Sequence, residues 1–465
     1  MAVILLVLLL LLPGSSPMIG AAADEEREHT IVATSLLETK AACSGHMVAP
    51  PQNTTWVPLS LSHGSCSPWS HGSKPSLAEL LRQDQLRVDD IQMRVSDDKR
   101  RMAPCEVTVL NHGPVTDVKL GSPRRASSEL QLSIDPAATG GGGSSLQQGV
   151  TQTVLVDTAS DVPWVQCHPQ TSSYDPASSA TYAAFSCNSP ACRGLGPYAA
   201  GCINNQCQYS VTYADGSSTA GTYSSDRLTI GRRAVSSNFQ FGCSRAERGS
   251  FGGRRSSGVM GLGGGTESLV SQTAATHGNV FSYCIPKPSA KGFFVLGVPR
   301  RAASRFVVTP MLRDPRVPTF YRVLLRAITV NGQRLNVPAR AAAGAMVMDS
   351  RTIVTRLPPT AYQALRAAFR NSMSMYRAAP PNGALDTCYD FTGVATIRLP
   401  RIALVFDRNA VVELDPSGIL LNSCLAFASN GNDRMAGILG NVQQQRIEVL
   451  YDVGGGAVGF RRGAC

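Results

Sequence analysis

At 465 residues the chain is too long for one ordinary core, so two or more lobes with accessory segments are expected. Its hydrophobic content of 43% is that of a soluble globular protein, and 43 Gly with 29 Pro imply many turns, favouring β-rich architecture over long helices. The formal charge of +11 is dispersed in pairs such as Arg232-Arg233, Arg254-Arg255 and Arg461-Arg462, without aromatic interleaving, which reads as a solvated basic surface and no nucleic-acid partner.

Residues Ala2 to Leu12 are continuously apolar, and Ala21-Ala22-Ala23 precede Asp24. Residues 1–23 therefore read as a signal peptide, although the usual Lys or Arg at its front is missing. The run is too short to span a bilayer, and no later segment is long and apolar enough, so no membrane anchor is expected. The stretch Val458 to Cys465 has no hydrophobic tail for a lipid anchor.

From Asp24 to about Pro104 the chain is polar, with Pro50-Pro51 and one glycosylation sequon at Asn53-Thr54-Thr55. Within it, Ser76 to Arg87 predicts a helix: Leu77, Leu80 and Leu81 share a face, and Ser76 with Glu79 forms a capping box. The pattern continues to Lys99-Arg100-Arg101, a positive end that complements the helix dipole. Two roles stay open at this point, a linker helix or a basic segment that sits over a carboxylate site and neutralises it.

Past residue 105 short strand-like runs appear, among them Gln208 to Tyr213, Phe320 to Leu325 and Arg446 to Tyr451. A helix is predicted over Thr360 to Phe369, after Pro358-Pro359. Gly140 to Gly143 reads as a flexible insertion, and Gly261-Leu262-Gly263-Gly264-Gly265 as a tight turn without dinucleotide spacing. Thirteen cysteines in a secreted chain argue for disulfides. Without a Cys-x-x-Cys pair and with scattered His, no metal is expected. The pairs Cys187/Cys192 and Cys202/Cys207 suggest a stapled surface loop, and the odd total leaves one thiol over; the connectivity stays open.

Asp157-Thr158-Ala159-Ser160 follows the apolar run Thr153 to Val156, and Asp349-Ser350-Arg351-Thr352 follows Ala345 to Met348. Two buried strands that each deliver a carboxylate and then hydroxyls suggest two Asp residues facing each other. Facing carboxylates share a proton and act together as acid and base. One such tetrapeptide alone is a common capping or turn pattern. The flanks make it specific.

Thr153 to Cys167, ending Trp164-Val165-Gln166-Cys167, resembles the first active-site signature of pepsin-like aspartic proteases (family A1), in its plant nepenthesin-like branch. Val347 to Pro358 resembles the second signature, and Tyr213-Ala214-Asp215-Gly216-Ser217 the flap tip. Gly258 to Leu262 and Gly437 to Asn441 resemble the paired apolar-Gly supports, and Ser76 to Arg87 the propeptide of that branch.

This resemblance implies an all-β, bilobal pepsin-like fold with a pseudo-twofold axis and a central cleft. It divides the chain into a signal peptide (1–23), a propeptide or linker (24–104), a first lobe with Asp157 and the flap (105–315) and a second lobe with Asp349 (316–465). It implies Asp157 and Asp349 as the catalytic dyad, with Thr158 and Ser350 cross-bonding the loops and Ser160 and Thr352 steadying the outer carboxylate oxygens. Tyr213, Gly216 and Ser217 would form the substrate flap, Cys388 and Cys424 a disulfide, and Asn53 a glycosylation site. No cofactor is implied. Protein or peptide substrates, a monomer, and an extracellular (apoplast) or vacuolar location are implied.

Both family glycines of the dyad loops are replaced. Ala159 adds one methyl group and keeps its peptide N–H. Arg351 brings a long cation, which favours the doubly ionised dyad if it faces the carboxylates and does nothing if it turns away into an ion pair. Ala214 replaces the flap glycine, and Leu132 to Ala137 lacks the usual Gly-[Thr/Ser]-Pro. The expected function is an aspartic endopeptidase working at acidic pH. The alternative is a catalytically impaired binding protein on the same fold, resembling the xylanase inhibitors.

Overall fold

The structure, a computed structural model, describes residues 28–32, 43, 54–69, 75–96, 107, 112–123, 149–168, 174–249, 256–297, 306–338 and 344–465. The predicted signal peptide, Asn53, Gly140 to Gly143, Leu132 to Ala137 and the basic run Lys99 to Arg101 lie outside the described residues.

Runs of β-branched and aromatic residues punctuated by Gly and Asn turns pair into sheets, as such sequences do on a half-buried pleated surface. The same three-strand unit occurs once in each half. In the first, Val150–Asp157 pairs in parallel with Gly258–Gly261, which also pairs antiparallel with Trp164–Gln166. In the second, Ala345–Met348 pairs in parallel with Gly437–Leu439, which meets Thr355–Leu357 antiparallel. This repetition is the pseudo-twofold axis of a mainly β, bilobal, pepsin-like fold.

A glycine closes or directly follows each of the strands Gly258–Gly261 and Gly437–Leu439: Gly261 and Gly440 sit against neighbouring backbone. A Cβ on Gly261 would lie 2.7 Å from the carbonyl oxygen of Asp161, and one on Gly440 would lie 2.7 Å from that of Ile353. Each glycine thus lets backbone close against the turn that follows an Asp.

One 15-stranded sheet joins the halves. In it Ile447–Asp452 pairs with Val280–Cys284, which pairs with Gly292–Leu296. The next strand inward is Thr55–Leu61, inserted between Gly292–Leu296 and Pro114–Leu120. This strand was not expected from the polar segment that contains it. Pro58 stands in its middle, opposite Phe293, and a residue without an N–H argues against a central strand. The strand survives because Val57 and Leu59 are buried in the core. Farther upstream, Glu28–Val32 pairs with Thr396–Pro400 of the second lobe.

The helix predicted from Ser76 runs over Leu77–Val95. The Ser76 hydroxyl accepts from the Glu79 N–H, but the Glu79 carboxylate is taken by Arg82 and Gln83, so the capping box is one-sided. The second predicted helix spans Pro359–Ser372.

Six disulfides use twelve of the thirteen cysteines; Cys105 lies outside the described residues. The two Cys-x4-Cys pairs bond crosswise, Cys187–Cys202 and Cys192–Cys207. Cys388 and Cys424 are bonded from directly opposed positions on neighbouring strands. Cys43–Cys66 closes onto the inserted strand's loop, Cys167–Cys243 braces the first lobe, and Cys284–Cys465 ties the last residue to the joining sheet. Among the described residues no helix is long and apolar enough to cross a membrane.

Candidate active site

Asp157 closes its strand and Asp349 follows the equivalent one, and both are fully buried. The two turns hold each other. The Thr158 N–H donates to Ser350 Oγ at 3.2 Å, and the Ser350 N–H donates to Thr158 Oγ1 at 3.0 Å. Each hydroxyl then donates across to the strand before the other Asp, Thr158 to the Met348 carbonyl and Ser350 to that of Val156. This reciprocal set fixes the two carboxylates in one frame.

The outer oxygens are held by the second hydroxyl of each loop. Ser160 Oγ donates to Asp157 Oδ2 at 3.0 Å, and Thr352 Oγ1 donates to Asp349 Oδ2 at 2.6 Å. The backbone N–H of Ala159 reaches Asp157 Oδ1 at 2.9 Å, while that of Arg351 reaches Asp349 Oδ1 at 3.4 Å. Ala159 thus keeps the amide contact, and its methyl packs with Val88, Phe320 and Val347.

The Leu77–Val95 helix lies over this pair. Arg87 is fully buried between the carboxylates: Nε donates to Asp349 Oδ2 and Nη2 to Asp349 Oδ1, each at 2.7 Å. Nη2 also reaches Asp157 Oδ1 at 2.7 Å, and Nη1 reaches Asp157 Oδ2 at 3.3 Å. One helical turn earlier, Asp84 accepts from the Ile353 N–H at 2.7 Å and from Arg356 Nη2 at 2.9 Å. Leu81, Asp84, Val88 and Ile91 recur at helical spacing, so one stripe carries both the apolar contacts and the charges. Of the two roles left open by the sequence, the helix takes the covering one. The neutralising cation is Arg87 in mid-helix rather than the basic end.

Arg351 faces the carboxylates. Its side chain is fully buried with Nε 3.9 Å from Asp157 Oδ2, and no guanidinium nitrogen makes a hydrogen bond. It has not turned away into an ion pair elsewhere. Burial lowers its pKa to about 10, with Asp157 opposing and Arg87 adding to the effect, so it is cationic throughout the acid range. Burial works on Asp349 in the opposite sense, but the Arg87 guanidinium and the Thr352 hydroxyl and amide hold its carboxyl at about 2. Burial pushes the Asp84 carboxyl up in spite of Arg356. His112 is buried and its pKa is well below the ordinary value, by burial first and then by Arg351.

The comparisons agree with this frame. Residues 145–298 match the family described as Xylanase inhibitor N-terminal and residues 320–462 that described as Xylanase inhibitor C-terminal. An aspartyl protease family protein of Arabidopsis thaliana is 34% identical over 95% of this chain and 94% of its own. The chain belongs to the plant pepsin-like aspartyl protease family. Aspartic proteinase nepenthesin-2 of Nepenthes gracilis is 32% identical over 66% of this chain and 73% of its own. The solved structure of soybean Basic 7S globulin has a TM-score of 0.58 and 21% identity, over 75% of this chain and 91% of that one, which shows the shared fold.

In this family member the segment expected to be the flap lies at the turn of a hairpin that joins Gln206–Thr212 to Ser218–Ile230. The Trp164 indole donates to the Tyr213 hydroxyl at 2.8 Å, which pins the ring inside the first lobe. Gly216 takes φ +80° at the tip with open space around it, a conformation that suits glycine. The Ser217 hydroxyl is spent on Asp215 within the turn.

The sequence reading missed Arg87, Asp84 and Arg356. For Asp84 and Arg87 the signal was present as charges on the apolar stripe of a predicted helix, where a face packed on a core ordinarily carries none; Arg356, in the strand Thr355–Leu357, carried no such signal. Among the described residues no group of His, Cys, Asp and Glu is arranged to hold a metal ion.

Proposed function

We propose that the chain is the self-blocked precursor of a secreted, monomeric aspartic endopeptidase that cleaves extended protein or peptide substrates at acidic pH. The observation that carries this reading is the reciprocal Thr158–Ser350 bonding, which presents two buried carboxylates to one point. Arg87 occupies that point. Once the helix leaves, Asp157 and Asp349 share one proton and hold a water between them. One carboxylate takes a proton from the water as it attacks the scissile carbonyl, and the other protonates the carbonyl oxygen. The pair titrates as a unit. Residues 1–23 serve as the signal peptide, residues 24–104 as the propeptide, and Tyr213 closes over bound peptide.

The names of the relatives support the enzyme over an inhibitor on the same fold, and an inhibitor has no use for two carboxylates kept in register. The test is cleavage of a denatured protein across acidic pH by the acid-exposed full chain, with and without pepstatin, beside Asp157→Asn and Asp349→Asn. Pepstatin-sensitive cleavage lost in both variants is expected. Its absence at every pH overturns the reading.

A further inference from the structure

We infer that Arg351 is a specificity residue, a receptor for a carboxylate that the substrate peptide carries beside the scissile bond. The inference rests on the endopeptidase reading and adds a substrate class to it.

Buried polar groups are almost always hydrogen-bonded, and a buried charge without a bonding partner is costly. Two other buried arginines of the site obey that rule at their terminal nitrogens. Arg87 spends Nη1 and Nη2 on the dyad, and Arg356 spends Nη1 on Gln85 and Nη2 on Asp84. Arg351 departs from it at Nε, Nη1 and Nη2 together. The carboxylate paired with it, Asp157, stands beyond hydrogen-bond distance of its guanidinium at 3.9 Å.

A second unpartnered group lies beside it. His112 is buried and its Nε2 makes no hydrogen bond. The next residue, Gly113, has φ +111°, and a Cβ built there would stand 3.5 Å from Arg351 Nη1. At Gly113 it is therefore backbone, without a side chain, that lies against the guanidinium. His112 and Gly113 line a cavity of about 370 Å³ to whose wall Leu77 and Leu80 of the covering helix also contribute. Departure of that helix removes Arg87 and part of the wall of this cavity in one step.

A planar guanidinium with free N–H groups matches a carboxylate through two parallel bonds, and a neutral imidazole N–H completes the set. The incoming carboxylate also restores the negative charge balance beside Arg351 when one dyad oxygen carries the shared proton. An acidic side chain flanking the scissile bond meets these requirements on the same peptide that the dyad attacks. A free peptide C-terminus offers the same chemistry and is separated in the test.

The probes are peptides with a reduced, uncleavable bond, amidated at the C-terminus, carrying Glu, Gln or Leu next to that bond; a further Gln peptide has a free C-terminus. Binding to the acid-exposed full chain, in preparations that bind pepstatin at the same pH, is read by fluorescence polarisation at about pH 5, where the Glu probe is ionised. The Glu peptide is expected to bind at least about tenfold more tightly than the Gln peptide, the scale set by one good charge-assisted pair. Arg351→Met is expected to bring the two to near parity with binding of the Leu peptide unchanged, and Arg351→Lys to fall between. Equal binding of Glu and Gln, a preference that persists in Arg351→Met, or failure to bind any probe overturns the inference. A preference for the free C-terminus alone overturns the side-chain assignment. Cleavage of an unbiased peptide mixture is scored separately: cleavage without a Glu preference removes only the inference, and a Glu preference without cleavage removes only the protease reading.

Discussion

Arg87 grips Asp349 side-on, with Nε 2.7 Å from Oδ2 and Nη2 2.7 Å from Oδ1, while the same Nη2 reaches Asp157. One planar cation thus answers both carboxylates of the site in a space closed to solvent. Such a group is stabilising only while complete, because removing one partner leaves uncompensated charge in the interior.

Arg87→Met tests that statement. The variant is expected to lose about 3–5 kcal/mol of stability at pH 7, read by denaturant unfolding. The deficit is expected to shrink in acid, where the facing carboxylates can share a proton instead. An equal deficit at both pH values contradicts the picture.

The closed form should weaken in acid through Asp349. Its folded pKa of about 2 lies below the ordinary 3.8. A depressed carboxyl pKa contributes stability that is full above the ordinary value and lost as pH falls through the folded one. The window is therefore from about pH 4 down to about 2, and the effect is on the order of 2 kcal/mol. Unfolding curves across that window should show the slope in the native chain and lose it in Asp349→Asn.

Asp84 acts with the opposite sign. Burial raises its pKa, so its contribution is full below the ordinary value and is lost as pH rises through the folded one. Acid that loosens Arg87 from the dyad therefore relieves the burial cost of the Asp84 carboxylate, which accepts from the Ile353 N–H and from Arg356 Nη2. Asp84→Asn removes this opposition along with the ion pair. The midpoint for pepstatin access should move to higher pH; a shift to lower pH counts against the account.

Arg351→Met should stabilise the covered chain. Its lowered pKa means that the folded protein disfavours the charge it holds. A flexible apolar side chain in its place is expected to add about 1–3 kcal/mol at pH 7, measured by thermal unfolding. A loss of stability instead would mean that Asp157 repays the burial in full.

Cys284–Cys465 closes a loop with a sequence separation of 181 residues. Cys465→Ser is expected to cost about 2–5 kcal/mol in denaturant unfolding under oxidising conditions, with the dyad contacts intact.

Much of the site is legible in the sequence because its parts are local. An apolar run ending in Asp and followed by hydroxyls dictates both the strand and the turn, and Thr158, Ser160, Ser350 and Thr352 take the contacts that their positions suggest. What escapes is what depends on distant partners. Pro58 hides a strand whose place is decided by Gly292–Leu296 and Pro114–Leu120. Arg87 is an ordinary helix residue until the fold brings the dyad beneath it, and Cys202 and Cys207, though directly opposed on neighbouring strands, bond instead to Cys187 and Cys192, which no spacing rule gives.

The inserted strand Thr55–Leu61 has a bearing on how permanent the blockade is. It precedes the covering helix in the chain, is hydrogen-bonded on both sides, and is tied to Cys43 through Cys66. A cut placed after Ser96 would free the helix to swing out and leave its root in the joining sheet. A blocker rooted in this way stays at an effective concentration on the order of millimolar near its seat. Return to neutral pH would then re-seat Arg87 within the same molecule, so that the enzyme behaves as one carrying its own reversible inhibitor.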